Sequence, residues 1–269
     1  MRPSRPLVIA ATALTLGLAA GITGMGIPAH AASAVNYVAL GDSYSSGVGA
    51  GSESGSCDQS PNAFPVLWAA ANAPASFTNV TCSGATTGDV VSGQLSSLSS
   101  STTLVSITIG GNDAGFSSVM ETCVLESTSS CESAVTAAEQ YTNNTLPGQL
   151  DTTLADIRDD APNAKIIVLD YPDFYDLSVG FCLGLSTADH QALDNGANDL
   201  DGVIATAAAG NGDTFADVRA QFSGHELCDS GAWLNSITLP IDNSYHPTAN
   251  GQKDGYLPVF SAAATAAGQ

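Results

Sequence analysis

Residues 36–47 read NYVALGDSYSSG, in which a short apolar run is followed by a glycine, an aspartate and a serine-rich turn. Apolar runs of this length, bounded by turn residues, are typical of the buried strands of a parallel sheet. Ser43 lies in the turn between Gly41 and Gly47, where the backbone can bend sharply and leave a hydroxyl group exposed. The segment therefore predicts a strand at 36–40 that places a serine at its carboxyl end.

The same pattern recurs along the chain and indicates the fold class. Apolar runs at 104–109 (LVSITI) and 165–170 (KIIVLD) predict two more buried strands, and weaker strands are predicted at 77–80 and 214–218. The segments with helical character are 64–72, 132–160 with a break at Pro147, 188–209 and 249–266. The serine-rich stretches interpreted as loops are 96–103 and 127–133. Because strands alternate with helices, we expect a parallel sheet of about five strands with helices on both faces, a three-layer α/β/α sandwich.

Three polar, glycine-rich segments directly follow the first three predicted strands. They are GDSYSSG (41–47), CSGATTG (82–88) and GGNDAG (110–115). Ligands of open parallel sheets bind beyond the carboxyl ends of the strands. We therefore expect these three loops to lie at one edge of the sheet and to form the functional site.

A serine in such a turn needs a base, because a free hydroxyl is a poor nucleophile at neutral pH. Beyond residue 31 the chain has three histidines, His190, His225 and His246. His190 falls within a predicted helix and His225 in a polar loop, so both are interpreted as surface residues. His246 precedes Pro247, which disfavours the helical conformation at the histidine. His246, at the end of a rigid loop, is the candidate base.

An ester carbonyl under attack also needs hydrogen-bond donors that stabilise the negative charge on its oxygen. Gly84 lets the backbone approach closely and present its N–H group, and Asn112 offers a side-chain amide after a central strand. Asp42, beside the candidate nucleophile, is interpreted as a structural acceptor for the turn and not as an acid–base partner. Each motif is weak by itself, since glycine and asparagine are common in turns.

The joint order of these motifs is specific. The four blocks are GDSYS (41–45), Gly84, GGND (110–113) and HPT (246–248). They match the Ser, Gly, Asn and His blocks of the SGNH hydrolases, also called GDSL lipases and esterases. The sequence resembles this family over residues 36 to about 260.

The resemblance implies a fold and a set of residue roles. The fold is the flavodoxin-like sandwich of the SGNH hydrolases. Ser43 corresponds to the nucleophile and His246 to the base. The oxyanion hole corresponds to the N–H groups of Ser43 and Gly84 together with the side-chain amide of Asn112.

The histidine block departs from the family pattern in one respect. Many members have an Asp three residues before the His, whereas this chain has Asn243 there and its nearest acid is Asp242. A neutral amide cannot stabilise an imidazolium as a carboxylate does. Some secreted members use a main-chain carbonyl upstream of the His, so we predict a Ser–His dyad whose ring is oriented by the carbonyl of Asn243 or Ser244. Asp242 as a third catalytic member is the alternative.

The first 31 residues have the pattern of a secretory signal peptide. Arg2 and Arg5 precede an apolar run, and Ala29-His30-Ala31 supplies the small-x-small cleavage pattern. We predict cleavage after Ala31, a single domain over residues 32–269, and a secreted, extracellular protein. No other stretch of the sequence has the length and apolarity of a membrane span, so stable membrane insertion is not expected.

The predicted mature chain is strongly acidic. The sequence has 6 basic and 26 acidic residues. Because 2 of the basic residues lie in the predicted signal peptide, residues 32–269 carry a formal charge of −22. Repulsion by a charge of this size disfavours nucleic acid and anionic membrane surfaces as partners. Neutral acyl substrates remain compatible, and we expect a monomer.

All six cysteines lie in the predicted mature chain, which indicates disulfide bonds in an exported protein. Six cysteines allow 15 pairings. Sequential pairing closes the shortest loops, and the layout resembles that of secreted actinobacterial members of the family. We therefore predict structural cross-links, and not metal ligands, at Cys57–Cys82, Cys123–Cys131 and Cys182–Cys228.

The sequence predicts an ester hydrolase that needs no cofactor or metal. It contains no GxSxG elbow of an α/β-hydrolase, no HExxH zinc motif, no P-loop and no GxGxxG after a strand. Asp194, Asp199 and Asp201 are interpreted as solvated charges of a helix face. Together with the resemblance, the leading hypothesis is a lipase or esterase that cleaves fatty acyl esters and extends to phospholipids as a phospholipase A.

Two alternatives stay open. A carbohydrate acetylesterase is the first, because related members of the family remove acetyl groups from plant polysaccharides. Only Trp68 and Trp233 are available to stack on sugars, which favours lipid substrates. The second is a non-catalytic extracellular binding protein on the same scaffold, which the complete set of motif residues disfavours.

Overall fold

The predicted strands form one five-stranded parallel sheet in the computed structural model, which describes residue 1, residues 34–179, residue 182 and residues 184–269. The strands are β1 (Asn36–Gly41), β2 (Ser76–Asn79), β3 (Leu104–Thr108), β4 (Lys165–Leu169) and β5 (Thr214–Ala216). Their order is β2-β1-β3-β4-β5, and all neighbours are parallel. This is the flavodoxin-like order, and the predicted fold class is confirmed. The predicted cleavage site after Ala31 lies outside the described residues.

The strand order creates a switch point between β1 and β3. The chain proceeds from β1 to β2 at one edge, then returns to β3 on the other side of β1 and continues to β5. Loops that leave β1 and β3 consequently diverge and leave a crevice at their carboxyl ends. The segments that follow these two strands contain Ser43 and Asn112. The topology thus brings two of the predicted site residues to the same crevice.

Helices cover both faces of the sheet. They are α1 (Ser43–Ser46), α2 (Phe64–Asn72), α3 (Thr87–Asp89), α4 (Phe116–Leu125), α5 (Thr128–Asn144), α6 (Leu146–Asp160), α7 (Thr187–Asn211), α8 (Arg219–Phe222) and α9 (Leu257–Ala266). Helices α2 and α9 pack together on one face, and α4 to α7 pack against one another on the other. A π-helical turn, Gly251–Tyr256, precedes α9.

The core consists of aromatic rings on one side of the sheet and aliphatic side chains on the other. Tyr37 of β1 stacks on Phe260 of α9 with 5.5 Å between ring centroids, and Phe260 also packs on Phe64 of α2. On the opposite face α6 buries Leu146, Leu150, Leu154 and Ile157 completely. Their spacing of three or four residues is that of one helix face, so these residues hold α6 in the outer layer.

The main differences from the sequence prediction lie in the segment 116–147. Helix α4 was not predicted, and α5 begins at Thr128, inside the serine-rich stretch interpreted as a loop. The Ser127 hydroxyl accepts a hydrogen bond from the Ser130 N–H group and caps α5. Serines favour turns and helix N-caps for the same reason, namely that their side chains bond to nearby main-chain groups. The predicted break at Pro147 falls two residues earlier, at Thr145, and Pro147 lies in the first turn of α6.

Helix α7 shows that the interpretation of three polar side chains was wrong. His190, Asp194 and Asp201 were expected at the surface but are buried, while Asp199 is exposed as expected. Asp194 accepts hydrogen bonds from the N–H groups of Phe174 and Tyr175, at 2.8 and 3.2 Å. Asp201 likewise accepts from the Tyr171 N–H group at 3.2 Å, so both carboxylates are buried because they satisfy main-chain donors of the loop after β4.

Two further ring stacks and three disulfide bonds lie within the compact unit of residues 34–269. The His190 ring stacks on Tyr175 at 3.8 Å, and the partly exposed His225 ring stacks on Trp233 at 3.7 Å. The disulfide bonds are the three predicted ones: Cys57–Cys82, Cys123–Cys131 and Cys182–Cys228. Among the described residues, no helix has both the length and the apolarity of a membrane span.

Candidate active site

Ser43 is the first residue of α1 and is separated from the end of β1 by a single residue, Asp42. Gly41 has φ +118°, and a Cβ atom there would collide with the carbonyl oxygen of Thr108 on β3, so only glycine fits. The Asp42 carboxylate accepts a hydrogen bond from the Tyr44 N–H group at 3.0 Å and caps the turn. The tight turn leaves the Ser43 side chain at the carboxyl end of the sheet, 6% exposed.

The structure brings His246 into contact with Ser43 across 203 residues of sequence. The distance from His246 Nε2 to Ser43 Oγ is 2.8 Å, and His246 Nδ1 lies 3.1 Å from the main-chain oxygen of Ser244. In the tautomer that carries its proton on Nδ1, the ring donates a hydrogen bond to that carbonyl, and the unprotonated Nε2 can accept the serine proton. Asn243 contacts His246 only through its main chain, since its carbonyl accepts from the His246 N–H group at 3.3 Å. The Asp242 side chain is exposed and is not a hydrogen-bond partner of the ring.

Burial keeps the His246 ring neutral at physiological pH. The ring is 7% exposed, and its desolvation lowers the pKa from 6.5 to about 4 because the imidazolium form loses its hydration. The Ser244 carbonyl acts in the opposite direction but more weakly. A neutral imidazole is the form that can accept a proton.

Tyr44 and Gln252 connect the two halves of this pair, and the sequence analysis did not identify either. The Tyr44 hydroxyl donates to the main-chain oxygen of Tyr245 at 2.7 Å, so the residue after Ser43 is bonded to the residue before His246. The fully buried Gln252 donates to the Tyr44 carbonyl at 2.9 Å and accepts from the Phe64 N–H group at 2.9 Å. These bonds position the serine relative to the histidine.

The loops that carry Gly84 and Asn112 are bonded to each other. The Asn112 side-chain amide donates to the Ala85 carbonyl at 3.0 Å, and the Thr87 hydroxyl donates to the Asp113 carboxylate at 2.6 Å. One hydrogen of the Asn112 amide therefore remains available for another acceptor. Gly84 has φ +78° and is exposed, and among the described residues its N–H group donates to no protein acceptor.

Tyr171, another residue that the sequence analysis missed, links the serine turn to the Asn112 loop. Its hydroxyl donates to the Asp42 carboxylate at 2.5 Å and accepts from the Gly111 N–H group at 3.1 Å. The Thr108 hydroxyl donates to the same carboxylate at 2.7 Å. Burial raises the pKa of Asp42 to about 6 despite these donors. The interpretation of Asp42 as a structural acceptor agrees with these contacts; the signal for Tyr171 was its position directly after the predicted fourth strand.

Comparison with known proteins identifies the family. The sequence model of the GDSL-like lipase/acylhydrolase family matches residues 39–253. The chain belongs to the GDSL-like lipase/acylhydrolase family. It is therefore an ester hydrolase, and the resemblance seen in the four motif blocks is confirmed.

Proteins similar to this GDSL hydrolase include two lipases and a phospholipase A1 from Streptomyces species. Lipase 1 of Streptomyces coelicolor is 53% identical over 259 residues, which cover 94% of this chain and 96% of the relative. The crystal structure of an extracellular lipase from Streptomyces rimosus matches with a TM-score of 0.84 and 52% identity, over 86% of this chain and 100% of the other. The crystal structure of phospholipase A1 from Streptomyces albidoflavus matches with a TM-score of 0.83 and 51% identity, over 85% and 99%.

Ser43 of this GDSL hydrolase lines a small apolar cavity, here called the slot. It has a volume of about 70 Å³ and passes between α4, α5 and α7. Ser43, Asn112 and Tyr171 are among the residues that line it. The apolar residues of its walls are Phe116, Val119, Met120, Val135, Ala138, Phe174, Leu193, Ala197 and Leu200. The lining is therefore predominantly apolar, as in pockets that bind apolar groups.

A second, wider cavity of the GDSL hydrolase, here called the groove, lies on the His246 side. Its volume is about 320 Å³, more than four times that of the slot. One wall is α4, with Met120 and Val124, and the other is the loop from Ile237 to His246. Phe116 and Met120 line both cavities, so the slot and the groove are neighbours.

Proposed function

We propose that this protein is a secreted lipase/esterase that cleaves fatty acyl esters with Ser43 as nucleophile and His246 as general base. The observation that carries the proposal is the 2.8 Å contact between Ser43 Oγ and His246 Nε2 beside the apolar slot. A serine within hydrogen-bond reach of a buried, neutral imidazole is the arrangement that nucleophilic ester cleavage needs. The names of the Streptomyces relatives support the same substrate class.

The first half of the reaction acylates Ser43. Its Oγ attacks the ester carbonyl carbon while His246 Nε2 takes the hydroxyl proton. The N–H groups of Ser43 and Gly84 and the Asn112 amide donate to the oxyanion that forms. The carbon–oxygen bond to the alcohol then breaks, and the alcohol oxygen takes the proton from His246, which leaves an acyl-enzyme and a neutral imidazole.

The second half releases the fatty acid. His246 Nε2 takes a proton from water as the water oxygen attacks the acyl carbon, and the same donors stabilise the second oxyanion. Collapse of this intermediate breaks the bond to Ser43 Oγ, which regains its proton from His246. Throughout, the Ser244 carbonyl accepts a hydrogen bond from the Nδ1–H group, so the dyad operates without a carboxylate. We assign the ring-orienting role to the Ser244 carbonyl; the Asp242 main chain and charge favour the protonated ring more weakly.

The two cavities divide the substrate between them. The apolar slot takes the acyl chain, and the wider groove beside His246 takes the alcohol part, which leaves on the side where its proton donor lies. Relatives of nearly equal identity are named lipase and phospholipase A1. We therefore propose that both acylglycerols and phospholipids are substrates.

A reactive probe and a series of chain lengths test this function together. A fluorophosphonate probe is expected to label the wild-type protein on Ser43, and the Ser43→Ala and His246→Ala variants are expected to remain unlabelled. Turnover of p-nitrophenyl esters is expected to be higher for medium and long acyl chains than for acetate, because the slot is apolar. Labelling at another residue would show that Ser43 is not the nucleophile. Activity confined to acetate esters would favour the carbohydrate acetylesterase.

Secretion is tested by the product that an expressing cell releases. We expect the full gene product to appear in the culture medium with an intact mass that corresponds to residues 32–269 and to three disulfide bonds. Replacement of Ala29 and Ala31 by bulky residues is expected to block cleavage. Retention of the unmodified protein in the cell after wild-type expression would contradict the proposal.

A further inference from the structure

Four large aliphatic side chains are exposed on or beside the groove: three of them line it, and the fourth, Leu239, lies in the loop between Ile237 and Ile241. They are Leu125 (71% exposed), Ile237 (47%), Leu239 (87%) and Ile241 (59%), here called the apolar patch. Apart from Met1, the described residues have only two other exposed large hydrophobic side chains, Val91 and Leu177. A concentration of exposed apolar groups beside one cavity, with few elsewhere, indicates a contact surface.

Three members of the apolar patch, Ile237, Leu239 and Ile241, belong to the same loop as His246, whereas Leu125 ends α4. The loop is closed at its base by a bridge between Leu234 and Pro247 and by a 2.9 Å hydrogen bond from the Asn235 N–H group to the His246 carbonyl. Leu239 lies at the far end of this loop. The patch therefore surrounds the entrance through which an ester reaches His246, and it is continuous with the apolar wall of the groove.

The charges at this entrance restrict the partner. The groove is lined by the carboxylates of Glu121 and Asp242, and none of the described lysines or arginines lines it. An anionic lipid surface would be repelled by these carboxylates and by the net charge of the chain. A phosphocholine surface presents trimethylammonium groups outward, which complement carboxylates, and acyl chains beneath them, which accept aliphatic side chains.

We propose that the apolar patch docks this protein on the surface of a phosphatidylcholine bilayer and directs the groove toward it. Ile and Leu side chains enter the interface while Glu121 and Asp242 face the choline groups. The inference rests on the proposed function, since docking brings an aggregated ester to Ser43. It predicts that contact with lipid and hydrolysis of a dissolved ester depend on different residues.

Vesicle binding without hydrolysis tests the docking surface. In the Ser43→Ala background, the protein is expected to co-sediment with phosphatidylcholine vesicles, and the additional Leu239→Ser change is expected to weaken binding by about tenfold because one exposed leucine no longer enters the interface. Leu177→Ser, at an exposed leucine outside the loop that joins Asn235 to His246, is the matched control and is expected to bind like the parent. Phosphatidylglycerol mixed into the vesicles is expected to weaken binding.

Activity measurements separate the docking surface from the proposed function. In the active protein, Leu239→Ser is expected to slow hydrolysis of phosphatidylcholine vesicles by about tenfold and to leave turnover of dissolved p-nitrophenyl butyrate unchanged. If Leu239→Ser binds and hydrolyses vesicles like the wild type, the docking surface is wrong and the catalytic proposal stands. If the wild type does not cleave the dissolved ester, the catalytic proposal fails while vesicle binding still decides the patch. Loss of a dimer in Leu239→Ser, measured by light scattering, would instead assign the patch to a second copy of the chain.

Discussion

His246 is oriented by a main-chain carbonyl, whereas a carboxylate is the partner in many hydrolases of this kind. The Ser244 carbonyl lies 3.1 Å from Nδ1, and the exposed Asp242 carboxylate is not a partner. We therefore expect Asp242→Ala to keep kcat/KM within about threefold of the wild type, whereas His246→Ala loses about 10³-fold or more. The measurement is turnover of a dissolved p-nitrophenyl ester. Comparable losses in both variants would restore Asp242 as a third catalytic member.

The buried imidazole also determines the pH dependence of catalysis. Only neutral His246 accepts the serine proton, and burial holds its pKa at about 4, so activity persists as the pH falls below 6.5 and declines near pH 4. The measurement is kcat/KM of a neutral dissolved ester across this range, with intact folding checked by circular dichroism. The matched control is His190→Gln, which is expected to leave the midpoint unchanged. A midpoint at or above 6.5 would mean that the ring is more hydrated than its burial implies.

The Tyr171 hydroxyl is a positioning group for the oxyanion donors. Tyr171→Phe leaves the buried Asp42 carboxylate and the Gly111 N–H group each short of a partner, which costs about 1–3 kcal/mol per group. Because Gly111 precedes Asn112, we expect kcat to fall about tenfold with little change in KM. Tyr141→Phe, which removes a hydroxyl bonded to Gln149 on the helical layer, is the control for a general loss of stability. Equal effects of the two changes on kcat would assign Tyr171 a purely structural role.

At the scale of the element, the end of β1 depends on one glycine. A methyl group at Gly41 would collide with the Thr108 carbonyl oxygen of β3. In addition, the φ of +118° is strained for any residue with a side chain. We expect Gly41→Ala to lower the free energy of unfolding by at least about 3 kcal/mol, since both strands must separate. Gly55→Ala, also at positive φ but with open space around it, is expected to cost about 1–2 kcal/mol. Urea denaturation measures both values, and similar losses would show that backbone strain alone is responsible.

The elements also show how far the sequence predicts the fold. Strands β1, β3 and β4 were predictable because each is a continuous apolar run that ends at a glycine or a turn. Helix α4 was not, because its exposed serines, threonine and glutamate mask a short apolar face that only the neighbouring α5 reveals. Polar side chains of α7 were misplaced for a related reason. Nothing in the local sequence of Asp194 shows that the N–H groups of a distant loop need it as an acceptor.

At the scale of the whole molecule, the motif blocks identified Ser43, Asn112 and His246, which the structure brings to neighbouring cavities, but not the bonds that hold them; the role of Gly84 stays a prediction. Ser43, Asn112 and His246 were identified by type and order, and the strand order explains why two of them share a crevice. The Tyr44 bond to the Tyr245 carbonyl joins positions about 200 residues apart in the sequence. Such contacts depend on the packed tertiary structure, so a single sequence without its fold gives no signal for them.

The stability of the molecule is expected to fall as the pH rises. Burial raises the pKa of Asp42 to about 6 and of Asp194 to about 7, and it raises the pKa of both Asp170 and Asp201 beside Arg219. The folded chain therefore binds more protons than the unfolded chain above pH 4, and the stability that these protons contribute is lost as the pH rises through the folded pKa values. Repulsion among the charges of residues 32–269, which sum to −22, acts in the same direction.

His246 opposes this trend at low pH, because its lowered pKa makes the folded state lose stability as the pH falls from 6.5 to about 4. The buried carboxyl groups with raised pKa values outnumber the buried histidines with lowered ones. We therefore expect the free energy of unfolding to be higher at about pH 5 than at about pH 8. Urea denaturation at both values is the measurement. Asp201→Asn, which removes one raised carboxyl group, is expected to reduce the difference. Greater stability at the alkaline value would indicate that these groups are hydrated in the folded protein.

The 203-residue separation between the two members of the dyad has a consequence for the cell that makes this enzyme. While the polypeptide is still emerging from the ribosome, the serine is present early but has no proton acceptor until position 246 has been synthesised. Every incomplete or prematurely terminated product that stops short of that point is inert toward ester bonds. The proposed ester hydrolysis thus becomes possible only once synthesis has passed residue 246 and the two halves of the proposed dyad can fold together.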